Sequence, residues 1–153
     1  MMSIPDKRTK LAGILALAPV IPVITIEDAA QAVPLARALI AGGLRVIEIT
    51  LRTQAGLDAA RAIIEEVPDA VVGIGTVLTP ADYDRAARLG AAFAISPGLS
   101  IDLLDAANEG ELPFAPGVQT PSDLIACVTR GYELVKFFHA MPAGVLAALD
   151  ALG

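Results

Sequence analysis

The sequence predicts an α/β fold in which a parallel sheet is covered by helices. Short β-branched or apolar runs recur along the 153 residues, at intervals of roughly 20 to 27 residues, which is the length of one strand-plus-helix unit. Amphipathic segments with helix-capping signals fill the intervals. Apolar residues make up 55% of the chain, as expected where strands are buried on both faces.

Six strands are predicted, and each is short and rich in apolar side chains. They cover residues 20–24, 45–49, 71–75, 93–96, 112–115 and 134–138. Because a helical segment separates each strand from the next, the strands are expected to run parallel, with right-handed connections.

The predicted helices are bounded by capping residues and glycines. Thr79-Pro80 and Thr120-Pro121 each combine an N-cap residue with a proline at the first helical position. Ser100 opens a further helix, and an additional helix over about Asp6 to Leu17 precedes the first strand. The remaining boundary signals are Thr25–Asp28 at a helix start and Gly42-Gly43, Gly90, Gly110 and Gly131 at helix ends.

Successive βα units either form an open, doubly wound sheet or close into a TIM (β/α)8 barrel. We favour the barrel because no glycine-rich dinucleotide fingerprint follows the first strand. Polar residues, glycine and proline also gather after nearly every strand, as in the catalytic loops of a barrel. A complete barrel has eight units and at least ~200 residues. We therefore predict a single incomplete barrel domain over residues 1–153 with about six units, the last two missing. An open sheet remains the alternative.

Composition argues against several classes of protein. The formal net charge is −6 and the chain has no basic run interleaved with aromatic residues, so no nucleic-acid partner is expected. The longest apolar stretch, residues 11–26, is interrupted by Gly13, Pro19 and Pro22, so no membrane span is expected. With one cysteine (Cys127) and one histidine (His139), we expect no disulfide and no metal or other cofactor held by clustered His and Cys ligands. The basic and apolar N-terminal segment leads into a predicted strand without a clear cleavage site, so we predict a cytoplasmic N-terminal helix rather than a signal peptide.

Lys136 is the most informative residue, because it lies within an apolar strand between Val135 and Phe137. Burying an unpaired ammonium group costs several kcal/mol. An apolar environment favours the neutral amine, which is the form that adds to a carbonyl group. The alternative is a lysine that extends to the strand end and pairs with a carboxylate.

Glu48 and Arg52 form a second candidate group. Glu48 lies late in an apolar strand, where desolvation favours a carboxyl group that can both take and give a proton. It could instead pair structurally with Arg45 or Arg52. Arg52 follows the strand end, where a guanidinium group could bind a carboxylate, although it could equally be an ordinary surface arginine.

Two further segments end strands with unusual residues. Gly73-Ile74-Gly75-Thr76 allows close approach of the backbone and offers a hydroxyl group at Thr76. It could also form a phosphate-binding nest if its amides point at an anion. Ser96-Pro97-Gly98 turns the chain after the fourth strand.

Taken together, these motifs resemble the bacterial 2-keto-3-deoxy-6-phosphogluconate (KDPG) and 4-hydroxy-2-oxoglutarate (KHG) aldolase family. The similar segments follow the family order and spacing over nearly the whole chain. They are Pro19–Ile24, Ala41–Thr53, Gly73–Leu78, Phe93–Gly98 and Val135–Phe138.

The resemblance implies a class I aldolase that uses no metal. Lys136 would form an imine with the keto acid and Glu48 would relay protons. Arg52 and Thr76 would hold the pyruvate carboxylate, while Pro97 lines the pocket. Phe138 would pack against the imine. The resemblance also implies a homo-oligomer, commonly a trimer, with a small keto acid as the binding partner.

The chain departs from the family pattern in two ways. The loop after Phe138, His139 to Gly144, is one residue shorter. The family's main phosphate-binding glycines and serine lie on strands seven and eight, which we expect to be absent. Two alternatives therefore stay open: an inactive remnant, and a domain that binds an anionic metabolite with Glu48 and Lys136 merely paired.

Overall fold

The computed structural model describes residues 2–142 together with residues 144, 147 and 150. Six α-helices and seven short strands lie in this part of the chain. The strands are β1 (Val23–Ile24), β2 (Val46–Thr50), β3 (Val71–Gly75), β4 (Phe93–Ile95), β5 (Phe114–Ala115), β6 (Gly117–Val118) and β7 (Lys136–Phe137). The α-helices are α1 (Ile4–Leu15), α2 (Ala32–Ala41), α3 (Gly56–Glu66), α4 (Pro80–Leu89), α5 (Ile101–Glu109) and α6 (Pro121–Thr129), and a 3-10 turn, Ala29–Gln31, precedes α2.

The strands lie side by side in chain order, and every pair is parallel. β1 to β5 form one sheet in the order 1-2-3-4-5, and β6 pairs with β7. Only Pro116 separates β5 from β6, so the two are halves of one interrupted strand. A doubly wound sheet reverses its strand order at a switch point. The sequential order is therefore that of a partial barrel, as predicted.

Two apolar cores lie on the two faces of this sheet. The larger one, between strands and helices, contains Ile47 and Ile49 of β2. The smaller one lies inside the curve of the sheet and contains Val46 and Phe93, the first residues of β2 and β4. Helix α1 contributes Leu11 and Ile14 to this inner core. It therefore covers the end of the partial barrel at which the strands begin.

Most of the predicted boundaries are confirmed, and the differences have local causes. Thr79, Ser100 and Thr120 are N-caps, and Gly90 ends α4 in the left-handed conformation. Helix α1 begins two residues earlier than predicted because Ser3, rather than a residue near Asp6, caps it. The Ser3 side chain accepts a hydrogen bond from the Asp6 amide, and the Asp6 carboxylate accepts one from the Ser3 amide.

The predicted first and sixth strands, 20–24 and 134–138, are longer than β1 and β7, and the predicted fifth strand is displaced along the chain. The fifth was expected over 112–115, but it begins at Phe114 and continues beyond Pro116 as β6. Proline has no amide hydrogen to donate to a neighbouring strand. The backbone pairing therefore changes partner at Pro116, from β4 on one side to β7 on the other.

Lys7 is buried, although it lies in a polar segment of the sequence. Only 6% of the residue is exposed. Its Nζ donates hydrogen bonds to the carbonyl oxygens of Ala107, Asn108 and Gly110, at 2.7, 2.9 and 2.9 Å. A cation on the unpaired carbonyls of a helix C-terminus is favourable, so Lys7 fastens α1 to the end of α5.

Large apolar side chains are exposed at both ends of the strand series. Val20 and Val23 on the β1 side are 61% and 49% exposed, and Ile125 and Val128 on α6 are 66% and 57% exposed. Within the described residues, β1 and β7 each have one strand neighbour. None of the helices in this described part of the chain has the length and apolar character that a membrane span requires.

Candidate active site

Glu48 and Lys136 meet inside the curve of the sheet, although 88 residues separate them in sequence. Lys136 Nζ lies 3.2 Å from Glu48 Oε1 and 3.4 Å from Oε2. The Glu48 side chain is 3% exposed, whereas that of Lys136 is 24% exposed. The carboxylate is therefore enclosed, and the amine can be reached from solvent.

The strand alternation explains why Glu48 points inward. Ile47 and Ile49 belong to the core beneath the helices, while Val46 belongs to the inner core. Because successive side chains of a strand point to opposite faces, Glu48 shares the inner face with Val46 and Thr50. All five residues of β2 are buried, so neither face of this strand is open to water.

The partner of Glu48 is a lysine, and the predicted alternative pairing with Arg45 or Arg52 is wrong. Both arginines are exposed, and the only ion pair of Glu48 within the described residues joins it to Lys136. A buried charge without a partner is costly. The carboxylate and the amine therefore depend on each other for stability in this position.

The two glycines of β3 make room for inward-pointing side chains. A Cβ on Gly75 would lie 2.0 Å from Glu48 Oε1, and a Cβ on Gly73 would lie 2.1 Å from the ring of Phe93. Either contact is impossible without a shift of the neighbour. The sequence showed that these glycines allow a close approach, but only the structure identifies the carboxylate that uses the space beside Gly75.

Thr76 follows β3 directly, and its backbone has a φ of 59°. Positive φ is a genuine outlier for a β-branched residue, and such strain clusters at functional sites. Thr76 is partly buried. The strained position at the end of β3 distinguishes this threonine from an ordinary surface residue.

Arg52 and Pro97 lie after β2 and β4, at the same end of the sheet as Thr76. Arg52 is exposed, and the structure gives it no hydrogen bond or ion pair with the described residues. Pro97 is partly buried. The predicted residues that follow the strands are thus gathered at one end of the partial barrel, where the carboxyl ends of parallel strands meet.

Phe138 lies beside the amine, two residues beyond it. Lys136 Nζ is 5.0 Å from the centre of the Phe138 ring, close enough for a cation–π contact. His139, the next residue, is exposed. The predicted departure from the family pattern falls in the following loop, and Ala143 in that loop lies outside the described residues.

Two buried hydroxyl groups near the site were not identified from the sequence. Thr50, on the inner face of β2, donates to the Ile24 carbonyl at 3.1 Å and lies 3.0 Å from the Thr25 hydroxyl. Ser96, at the end of β4, is 2% exposed. The inward alternation of β2 could have identified Thr50, but nothing in the sequence shows the partner of Ser96.

Cys127 packs in the core. It is fully buried, and burial raises the pKa of its thiol to about 11, so the thiol stays protonated and unreactive near neutral pH. Over the part of the chain that the structure describes, no three His, Cys, Asp or Glu side chains cluster so as to hold a metal ion.

Comparisons with known proteins show the family of this chain. The family model "KDPG and KHG aldolase" matches residues 11–153. The KHG/KDPG aldolase of Escherichia coli strain K12 is 48% identical over 145 residues, which are 95% of this chain and 68% of that protein.

Two solved structures are also similar. The KDPG aldolase of Zymomonas mobilis ZM4, crystallised with 3-phosphoglycerate, has a TM-score of 0.91 and 43% identity, over 95% of this chain and 69% of that one. The Legionella pneumophila KDPG aldolase, with pyruvate captured as a covalent carbinolamine, has a TM-score of 0.88 and 44% identity, over 91% of this chain and 68% of that one. On the fold and these matches, the chain belongs to the KDPG and KHG aldolase family.

Proposed function

We propose that this protein is a class I, Schiff-base-forming aldolase. Its reaction is the cleavage of 2-keto-3-deoxy-6-phosphogluconate to pyruvate and glyceraldehyde 3-phosphate. 4-Hydroxy-2-oxoglutarate, cleaved to pyruvate and glyoxylate, is a second substrate. The observation that carries the proposal is the pair of Lys136 and Glu48, 3.2 Å apart inside the sheet.

Lys136 supplies the covalent nucleophile. Its amine gives a proton to Glu48 and then adds to the C2 carbonyl of the keto acid, and the resulting carbinolamine loses water to give a protonated imine. The imine nitrogen accepts the electron pair of the breaking C3–C4 bond, so cleavage leaves a neutral enamine rather than a free carbanion. Because the imine is the electron sink, this reaction calls for no metal or cofactor.

Glu48 moves the protons in each of these steps. It protonates the carbinolamine hydroxyl so that water can leave, and as a carboxylate it accepts the proton of the C4 hydroxyl during cleavage. It then returns a proton to C3 of the enamine, and water hydrolyses the imine to release pyruvate. Its distance from Nζ, 3.2 to 3.4 Å, is compatible with reaching each of these atoms.

The residues around the amine suit a small keto acid. Arg52 and Thr76 are proposed to hold the carboxylate, through a guanidinium group that has no competing partner among the described residues and a hydroxyl at a strained strand end. Pro97 forms a wall of the pocket. Phe138, 5.0 Å from Nζ, packs beside the imine.

Oligomeric state and location are further proposals. We propose a homo-oligomer, and specifically a trimer, because exposed apolar side chains such as Ile125 and Val128 would be covered in an assembly. We also propose a cytoplasmic location, which suits an acidic chain whose single cysteine is reduced and buried.

Imine trapping tests the proposed nucleophile. The full chain is incubated with pyruvate and sodium borohydride, digested and examined by mass spectrometry. We expect the reduced pyruvate adduct on Lys136, with none in Lys136→Met and an unchanged adduct in the matched variant Lys10→Met, because Lys10 is exposed. Absence of an adduct in a chain that unfolds cooperatively, or an adduct on Lys7 or Lys10, contradicts the proposal.

A further inference from the structure

The buried hydroxyl group of Ser96 connects three segments around the site. Ser96 follows β4 directly, and its Oγ donates a hydrogen bond to the Gly98 carbonyl at 2.8 Å. The same oxygen accepts a hydrogen bond from the Gly117 amide at 3.0 Å. One hydroxyl group therefore closes the Pro97-Gly98 turn and attaches that turn to β6.

Gly117 is the residue opposite Lys136. In the parallel pairing of β6 with β7, Gly117 is in register with Lys136, and the Lys136 amide donates to the Pro116 carbonyl at 2.9 Å. The neighbouring Ser96 amide still bonds the Ala115 carbonyl, at 3.3 Å. β5 therefore pairs with β4 as far as Ala115, and β6 pairs with β7 from Gly117 onward. This change of partner leaves the Gly117 amide without an acceptor in a neighbouring strand, and the Ser96 hydroxyl accepts its hydrogen bond instead.

The turn after β4 also packs directly on this position. A Cβ on Gly117 would lie 2.4 Å from both the Pro97 carbonyl carbon and the Gly98 nitrogen. The absence of a side chain at Gly117 lets the turn approach, and the Ser96 hydroxyl holds it there. The hydrogen bond from the Gly117 amide and the close packing on Gly117 thus act on the same residue, and that residue is paired with Lys136 across β6 and β7.

We propose that Ser96 is a positioning residue for Lys136: through Gly117 it fixes the register and depth of β7, and so the placement of the amine against Glu48. This inference rests on the proposed function of Lys136 as the nucleophile. Removing the hydroxyl leaves the buried Gly117 amide without its acceptor and frees the strand that carries the amine. Misplacement of a reacting group by about 1 Å can cost roughly 100-fold in rate.

The test compares Ser96→Ala with Ser96→Thr, which keeps a hydroxyl group, and with Ser100→Ala. Ser100 is the matched control because its hydroxyl accepts from the Leu103 amide and caps α5, with no bond to β6. For each full-length variant, the rate of imine formation at saturating pyruvate and the pyruvate concentration for half-saturation are measured by borohydride trapping.

We expect Ser96→Ala to lower the saturating rate about 10- to 100-fold with a half-saturation within roughly 2-fold of the original, because the change acts on the amine rather than on the carboxylate site. Ser96→Thr recovers most of the rate and Ser100→Ala retains it. Equal losses in the Ala and Thr variants, or a loss in Ser100→Ala as large as in Ser96→Ala, overturn the proposal.

Hydrogen exchange gives a second readout that does not depend on turnover. In Ser96→Ala we expect the Lys136 and Phe138 amides, which donate to Pro116 and Val118, to exchange about tenfold faster, while amides of β2 and β3 keep their protection. Unchanged exchange at Lys136 overturns the positioning role. If the unmodified chain forms no adduct, the proposed function fails, and this exchange result still decides the role of Ser96.

Discussion

At the scale of single residues, a buried carboxylate needs a charged partner and empty space. Lys136 is the charged partner of Glu48, and the absence of a side chain at Gly75 leaves the space that the Glu48 carboxylate occupies. A methyl group on Gly75 would lie 2.0 Å from Glu48 Oε1 and 2.8 Å from its Cγ. The site therefore requires a glycine at position 75 as well as Glu48 and Lys136.

Gly75→Ala is expected to displace the Glu48 side chain. The overpacking costs about 1 to 3 kcal/mol of the free energy of unfolding, and misplacement of the carboxylate lowers the rate of imine trapping roughly 10- to 100-fold. Urea unfolding and borohydride trapping measure the two effects.

The matched control is Gly98→Ala, which is near the site but has no heavy atom within 4 Å of its added Cβ. It should change neither stability nor trapping. An unaltered trapping rate in Gly75→Ala would show that the Glu48 carboxylate does not need its observed place.

At the scale of elements, polar anchors between helices and strands hold the layers in position. Tyr83 of α4 is 1% exposed, and its hydroxyl donates to the Leu112 carbonyl at 2.9 Å and accepts from the Leu112 amide at 3.0 Å. It fastens α4 to the segment that leads into β5. Lys7 does the same for α1 and α5.

The Tyr83 anchor is expected to make the fold sensitive to alkaline pH. Burial raises the pKa of Tyr83 from 10.0 to about 12. Because the folded state disfavours the phenolate, this contribution to stability is complete below about pH 10 and is lost as pH rises toward about 12. Urea unfolding at a series of alkaline pH values should show the decline.

Tyr83→Phe is the variant that isolates this effect. It should lose about 1 to 3 kcal/mol at pH 7, because the Leu112 amide and carbonyl lose their partner, and its stability should fall less steeply between about pH 10 and 12. A decline as steep as that of the unmodified chain would mean that other groups, such as Tyr132, whose pKa burial also raises, control the alkaline response.

At the scale of the whole molecule, the apolar surface at the two ends of the strand series is its most unusual property. Val20 and Val23 are exposed on one side, and Ile125 and Val128 on the other. The inactive-remnant alternative and the proposed oligomer both involve this surface. The two differ in the size of the particles they form. An inactive remnant forms aggregates of no fixed size, whereas an oligomer has a defined number of subunits.

Replacement of Ile125 and Val128 by glutamate should shift the chain toward the monomer. These residues are three apart on α6 and share a face, so two like charges there oppose burial against another copy. Sedimentation velocity at several protein concentrations measures the effect. Leu35→Glu on α2, where 38% of the residue is exposed, is the matched control and should leave the distribution unchanged. A double variant that associates as before would place any interface elsewhere.

Much of the fold was predictable because it depends on short-range signals. Proline after a threonine N-cap, glycine at a helix end and alternating βα segments are local features, and they correctly indicated α4, α6 and the parallel sheet. The buried environment of Lys7 could not be predicted from local signals, because it depends on three carbonyls about a hundred residues away. The interruption of strand pairing at Pro116 also could not be predicted, because it depends on which strands lie on either side of this segment.

The fold class was predictable from the pattern along the chain, and Glu48 and Lys136 were recognisable as candidates because an ionisable residue in an apolar strand is visible in the sequence. The contact between these two residues, the space that Gly75 leaves for it and the hydrogen bond between Ser96 and Gly117 became visible only in the folded chain. A sequence pattern reveals which face of a strand a side chain occupies. Distances between segments far apart in sequence are set instead by strand order, register and close packing.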